Sequence, residues 1–214
     1  MQFPDARILI FAKAPEPGQV KTRLIPRLGA EGAAQLYRTL LTGLLERLTA
    51  PAVAPLELWC MPVSDDPFFG ELSERFPVSL YRQKGADLGE RMYDAAENAL
   101  RRSEQVVLLG ADCPTMDAAF VDRALLALEQ CDAVLGPAAD GGYVLLGLKR
   151  AAHELFVDLP WGESRVADLT RARMLDLGWE WAELPEQWDV DRPDDLDRYL
   201  GHNTSFPDSE ALDP

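Results

Sequence analysis

Four basic side chains crowd the end of the first apolar run of a chain that is otherwise strongly acidic. Lys13 closes the run from Ala6, Lys21 and Arg23 follow in the loop, and Arg27 lies just beyond. The whole chain carries 21 Lys and Arg against 36 Asp and Glu, a formal net charge of −15, so this loop runs against the trend of the molecule. Several fixed cations with free backbone N–H groups are what an oligophosphate requires. The plainer alternative is a solvated surface loop. Its place after a first strand favours phosphate, because open α/β sheets bind ligands beyond the carboxyl ends of their strands.

The acids that could complement this loop lie far away in the chain. Asp112 follows the most apolar run, Gln105–Gly110, and Pro114 stops that run from continuing. A carboxylate there is either a turn or capping residue or a metal ligand. In Asp189-Val190-Asp191, extended backbone puts both carboxylates on one face while Val190 points inward. Asp191 could instead cap the helix that starts at Pro193, with Asp194 and Asp195 answering its dipole. Asp189 needs no part in that. A hard divalent cation takes a few carboxylates together with phosphate oxygens and water, so Asp112, Asp189 and Asp191 form a candidate set.

Asp140, before Gly141-Gly142-Tyr143, either shapes a hairpin turn or serves an acceptor hydroxyl as an orienting group or base. Trp161 reads more readily as core than as a wall of an acceptor pocket, and Glu163 and Ser164 as the start of a helix. Cys113 has no histidine near it in sequence and reads as a small packing residue.

These residues need a scaffold, and alternating strand and helix signals supply one. Strands are expected at 6–13, 56–61, 78–81, 105–110, 132–136, 142–148 and 179–184. Helices are expected at 29–48, 87–102, 117–129, 165–177 and 193–200, with a polar connection between Met61 and Val78. That order implies a three-layer α/β/α domain over residues 1–200 with a mostly parallel sheet, the pair around 132–148 adding an antiparallel piece. The polar segment 201–214 is expected to be a disordered tail.

Composition excludes several classes. Two histidines, His153 and His202, argue against zinc chemistry and a Ser–His–Asp hydrolase. Three cysteines without a CxxC pair indicate neither a disulfide framework nor a zinc site. The acidic balance argues against nucleic acid as a partner. No apolar run approaches the ~20 residues that span a bilayer, and no signal-peptide pattern opens the chain, so no membrane partner and a cytoplasmic location are expected. The first loop lacks the GxGxxG of a dinucleotide-dependent oxidoreductase.

With its motifs collected, the chain resembles the bacterial glycosyltransferase-A-like family of radical-SAM/selenodomain-associated transferases. The resemblance rests on Phe11-Ala12-Lys13-Ala14-Pro15-x-Pro17-Gly18-x-Val20-Lys21-Thr22-Arg23-Leu24, Asp87-Leu88-Gly89-Glu90-Arg91-Met92, Gly110-Ala111-Asp112-Cys113-Pro114, Asp140-Gly141-Gly142-Tyr143 and Asp189-Val190-Asp191-x-Pro193-x-Asp195-Leu196. It covers about residues 6 to 200 and extends, more distantly, to molybdenum-cofactor and phospholactate guanylyltransferases. It implies the nucleotide-diphospho-sugar transferase fold and a metal-dependent transferase with a nucleotide-activated donor and a small-molecule acceptor. It implies nucleotide binding by Ala12, Lys13, Gly18, Lys21, Arg23 and Arg91, catalysis by Asp112, Asp140 and Lys21, and Mg²⁺ or Mn²⁺ at Asp112, Asp189 and Asp191. Both sugar transfer and nucleotidyl transfer to a phosphorylated acceptor would use these groups, and a nucleotide-binding protein without turnover is the third reading. Because the basic loop looks isolated, replacing Lys21 and Arg23 together by Ala is expected to abolish nucleotide binding with little loss of stability.

Overall fold

The computed structural model describes residues 1–62 and 66–202. Its strands are β1 (Ala6–Lys13), β2 (Leu56–Met61), β3 (Val78–Arg82), β4 (Gln105–Gly110), β5 (Ala133–Pro137), β6 (Tyr143–Leu148) and β7 (Trp181–Glu183). Its α-helices are α1 (Ile25–Thr49), α2 (Pro67–Arg75), α3 (Leu88–Leu100), α4 (Ala118–Leu128), α5 (Val166–Asp176) and α6 (Pro193–His202). The strands form one seven-stranded sheet in the order β3-β2-β1-β4-β6-β5-β7. β6 runs antiparallel to both of its neighbours, β4 and β5, and every other pairing is parallel. The expected three-layer α/β architecture with an antiparallel piece is the one observed.

The alternation of side chains along β1 builds both layers. Ile8, Ile10 and Ala12 point into a core shared with α1, α2 and α4, whereas Leu9 joins a second core with Met92 and Ala95 of α3 and Met174 of α5. The central strands are buried on both faces, so they read as continuous apolar runs rather than alternating ones. A third cluster packs Leu24, Leu36 and Leu40 against Trp188, Val190, Leu196 and Tyr199. It fixes the 188–191 segment and α6 against α1.

Two features of this topology bring the chemistry together. The chain leaves β1 toward β2 on one side and reaches β4 on the other, which opens a crevice at the carboxyl ends of β1 and β4. The reversed direction of β6 then brings its first residue, Tyr143, to that same edge.

Some boundaries differ from expectation. α2 fills part of the supposed polar connection; the Asp66 side chain accepts from the Phe68 N–H and Pro67 occupies the first turn, which is an N-terminal signal in itself. α1 begins at Ile25, with non-helical backbone at Gly29, so only its continuous part matches the periodic stretch. β7 is three residues long. α6 continues through His202, so the expected tail cannot begin at 201; the remainder of that expectation, 203–214, lies outside the described residues.

Candidate active site

Lys21 is the centre of the site. It stands at the head of a short 3-10 turn, Thr22–Leu24, in left-handed backbone with φ 47° and ψ 41°. That conformation aims its long side chain under the loop, where it is 4% exposed. Its Nζ donates to Asp112 Oδ2 at 2.7 Å and lies 3.7 Å from Asp191 Oδ1. Arg23 pairs with the other oxygen of Asp191. Burial alone would lower the Lys21 pKa; the charge and hydrogen bond of Asp112, with Asp191 and Asp189 behind it, outweigh burial and hold it above the usual value.

This corrects the picture of an isolated basic loop facing a separate acidic wall. The cations and the acids are paired with one another. A buried ammonium needs paired negative charge, and three carboxylates drawn to one crevice need compensation in turn.

The acids are positioned by backbone. Asp112 emerges from β4, and its carbonyl accepts from the Val190 N–H at 3.1 Å, tying the two acidic segments together. Val190 is fully buried in the third cluster while Asp189 and Asp191 line the cavity, as extended backbone requires. Asp195, in the first turn of α6, reaches back to the segment before the helix: its Oδ2 accepts from the N–H groups of Asp191 and Arg192, at 3.2 and 2.7 Å. The Asp191 carboxylate meets Lys21 and Arg23. Among the described residues, no three His, Cys, Asp or Glu side chains stand as a preformed metal cage.

Asp189 is half-buried, and its pKa is pushed up to about 7, first by burial and then by the charges of Asp112 and Asp140, with Lys21 opposing. Unfolded, it would titrate near 3.8. Its ionised form therefore weakens the fold, a cost absent below pH 3.8 and complete once pH passes about 7. Asp189→Asn is thus expected to raise the Tm in metal-free buffer at pH 8 and to lose that advantage progressively below about pH 7, nearly all of it by about pH 4. Melting curves at the two pH values check this; an equal gain at both would show that Asp189 stays ionised throughout.

A cavity of about 580 Å³ at the sheet edge gathers nearly all the expected residues: Ala12, Lys13, Lys21, Arg23, Arg91, Asp112, Asp140, Asp189 and Asp191. The Lys13 N–H donates to Tyr37 Oη at 2.9 Å. The Arg91 guanidinium donates to the Gly85 and Ala86 carbonyls, each at 3.1 Å, and to Met61 Sδ at 2.7 Å. Asp140 Oδ1 accepts from the Gly142 N–H at 2.9 Å, so it both shapes the β5–β6 turn and faces the cavity. Gly18 is the exception. It is not part of the cavity wall but belongs to a turn closed by the Gln19 N–H on the Glu16 carbonyl, and it acts by shaping the loop.

Several wall residues escaped sequence reasoning. Gln83, just past β3, donates through Nε2 to the carbonyls of Ala12 and Trp59 at 3.1 and 2.7 Å, which clamps β1 to β2 below the cavity. Trp161 is half-buried and serves both roles weighed for it: it packs against the second core and lines the cavity, edge-on to Tyr143 with ring centroids 6.2 Å apart. Glu163 lines the cavity and does not start α5, whose N-cap is Arg165. A polar residue directly after a strand was the available signal for Gln83. Cys113 is buried, and burial pushes its thiol up, as suits a packing residue.

The family model described as an uncharacterized protein conserved in bacteria (DUF2064) matches residues 44–163. No curated protein matches the chain. Among solved structures, a candidate nucleotide-diphospho-sugar transferase from Desulfovibrio desulfuricans G20 is 34% identical, with TM-score 0.83 over 98% of this chain and 91% of that one. A cytidylyltransferase from Leptospira borgpetersenii is 19% identical, with TM-score 0.62 over 97% of this chain and 90% of its own. A 4-diphosphocytidyl-2C-methyl-D-erythritol synthase from Anaerococcus prevotii is 11% identical, with TM-score 0.61 over 93% and 96%. At such identities the last two show the fold alone. With more than half of its length inside the family model and a third of its residues shared with the Desulfovibrio protein, the chain belongs to the bacterial family DUF2064.

Proposed function

We propose that this protein is a transferase that takes a nucleotide-activated donor, with sugar transfer the leading reaction and nucleotidyl transfer to a small phosphorylated acceptor the second. The observation that carries the reading is the convergence of Lys21, Asp112, Asp189 and Asp191 on one cavity at the topological switch point of an α/β sheet. The likeness to the Desulfovibrio protein supports the donor class, and the fold shared with two cytidylyltransferase-type enzymes keeps the second reaction in view. The five sequence motifs support the narrower membership among radical-SAM/selenodomain-associated transferases.

Lys13, Lys21 and Arg23 give the donor's diphosphate a fixed positive potential. Asp112, Asp189 and Asp191 suit Mg²⁺ or Mn²⁺: they are hard oxygen donors, Asp112 and Asp191 are about a third exposed, and all three line one cavity. A divalent cation held there would neutralise charge on the departing phosphate. In sugar transfer, the acceptor oxygen bonds to the anomeric carbon, its proton passes to the Asp140 carboxylate, and the nucleoside diphosphate leaves with the electron pair of the broken C–O bond.

The test is a screen of nucleoside triphosphates and nucleotide-sugars for thermal stabilisation with Mg²⁺ or Mn²⁺ and with chelator. At least one nucleotide should stabilise the protein, and Asp112→Asn should weaken binding more with the ion than without it. Equal weakening would reduce Asp112 to a turn residue, and no stabilisation by any nucleotide would remove the proposal. Release of nucleoside diphosphate or of pyrophosphate then separates the two reactions.

A further inference from the structure

Charge is segregated along the cavity. Its cations, Lys13, Lys21, Arg23 and Arg91, come from β1, the loop after it and α3. Arg91 is anchored to Met61 at the end of β2 and to the 85–86 segment after β3, on the β2–β3 side of the crevice. Across β4 the wall changes character. There the lining is Tyr143 at the start of β6, Trp161, Val166, Asp140 and Glu163, and among the described lining residues this end has no Lys or Arg. Trp161 is held in place: it meets Tyr143 edge to face, and a Cβ on Gly89 would stand 3.1 Å from its Nε1.

From this we infer that the end of the cavity beyond the carboxylates binds an uncharged, hydroxylated ring compound, a sugar or cyclitol, as acceptor. Carboxylates of Asp140 and Glu163 are acceptors only, so the bound molecule must bring donors, and hydroxyls are donors. An indole wall favours a ligand with an apolar C–H face. The same two acids repel a phosphate or carboxylate, and no Lys or Arg among the described residues lines that wall; Arg173, the cation felt at Tyr143, is turned onto the Glu154 and Asp158 carbonyls. This inference rests on the nucleotide-donor reading, because the cationic end must be taken by the donor for the other end to receive the acceptor. It also selects between the two reactions, since a phosphorylated acceptor would be turned away.

The experiment saturates the protein with Mg²⁺ and GDP or UDP and titrates it calorimetrically with phenyl β-glucoside, glucose and glucose 1-phosphate. Phenyl β-glucoside should bind, and at least tenfold more tightly than glucose 1-phosphate. Trp161→Ala should lower its affinity at least tenfold while leaving nucleotide affinity within twofold. Glu163 is exposed, so Glu163→Lys keeps the fold, and it should raise glucose 1-phosphate affinity at least tenfold. Glucose 1-phosphate binding best to the unmodified protein overturns the inference, as does binding by none of the three probes or an equal loss of nucleotide and glucoside in Trp161→Ala. If neither GDP nor UDP binds, the titration uses the nucleotide that the stabilisation screen selects; no nucleotide stabilising the protein removes the donor reading first and this inference with it, so the two failures are told apart.

Discussion

Lys21→Met is expected to cost about 3 kcal/mol of stability and at least 100-fold in nucleotide affinity. Methionine keeps the length and apolar stem of the side chain and removes only the ammonium. What remains is Asp112 without its 2.7 Å partner, Asp191 with Arg23 alone, and Asp189 without the charge that opposes its burial. Breaking a buried pair by removing one member costs 3–5 kcal/mol in fully buried cases. Asp112 and Asp191 are 30% and 33% exposed here, so the lower end applies. Arg23→Ala should behave differently: its side chain is 53% exposed, and its loss should cost less than about 1 kcal/mol. The pairing therefore splits the expectation that both cations could be removed without harm to the fold: a small loss is expected for Arg23 and a large one for Lys21. Urea unfolding of the two variants separates them. Adding Asp112→Asn to Lys21→Met should recover part of the loss, because the uncompensated charge goes with it. An unchanged midpoint for Lys21→Met would mean that water screens the pair and that Lys21 is a surface residue.

The Lys21 result shows where sequence reasoning stopped. Lys21 and Arg23 were visible as basic residues because they stood against a net charge of −15, and Asp189 and Asp191 as a pair because Val190 between them had to be buried. Local spacing carries that much. It carries nothing about a bond between positions 21 and 112, which exists only because β1 and β4 are neighbours in the sheet. Asp195 illustrates the same limit at shorter range. Asp191 could have capped α6, with Asp194 and Asp195 answering its dipole, and only the backbone path shows the Asp191 carboxylate turned to Lys21 and Arg23 while Asp195 reaches back to the Asp191 and Arg192 N–H groups. Trp161 stood open between core and cavity wall because a tryptophan in a sequence looks alike in either place, and it takes part in both. The strands were legible for the opposite reason: burial on both faces leaves an unbroken apolar run that few other structures tolerate. The helix α2 was missed for its brevity, although Asp66 and Pro67 announced it.

Gly141→Ala is expected to cost about 3 kcal/mol and to weaken any ligand that leans on the Trp161 wall. Gly141 sits at φ 90°, where an L-residue is strained by about 1–2 kcal/mol before any contact is considered. A Cβ there would also stand 2.1 Å from the Ser164 carbonyl oxygen and 2.6 Å from its carbon, and these are backbone atoms that no rotamer change can move. The close approach has a purpose in the fold. The Gly141 carbonyl accepts from the Ala167 N–H at 3.0 Å, docking the β5–β6 turn onto the first turn of α5. Through that contact one glycine sets the distance between Asp140 on one side and Trp161 and Glu163 on the other. Gly162→Ala is the control, because Gly162 has a similar φ of 86° but nothing within 4 Å of the added methyl. It should pay only the backbone strain, about 1–2 kcal/mol. The difference between the two unfolding free energies therefore measures the clash alone. Equal values would mean that the turn and α5 separate at little cost, and a wall so loosely held could not select an acceptor by shape.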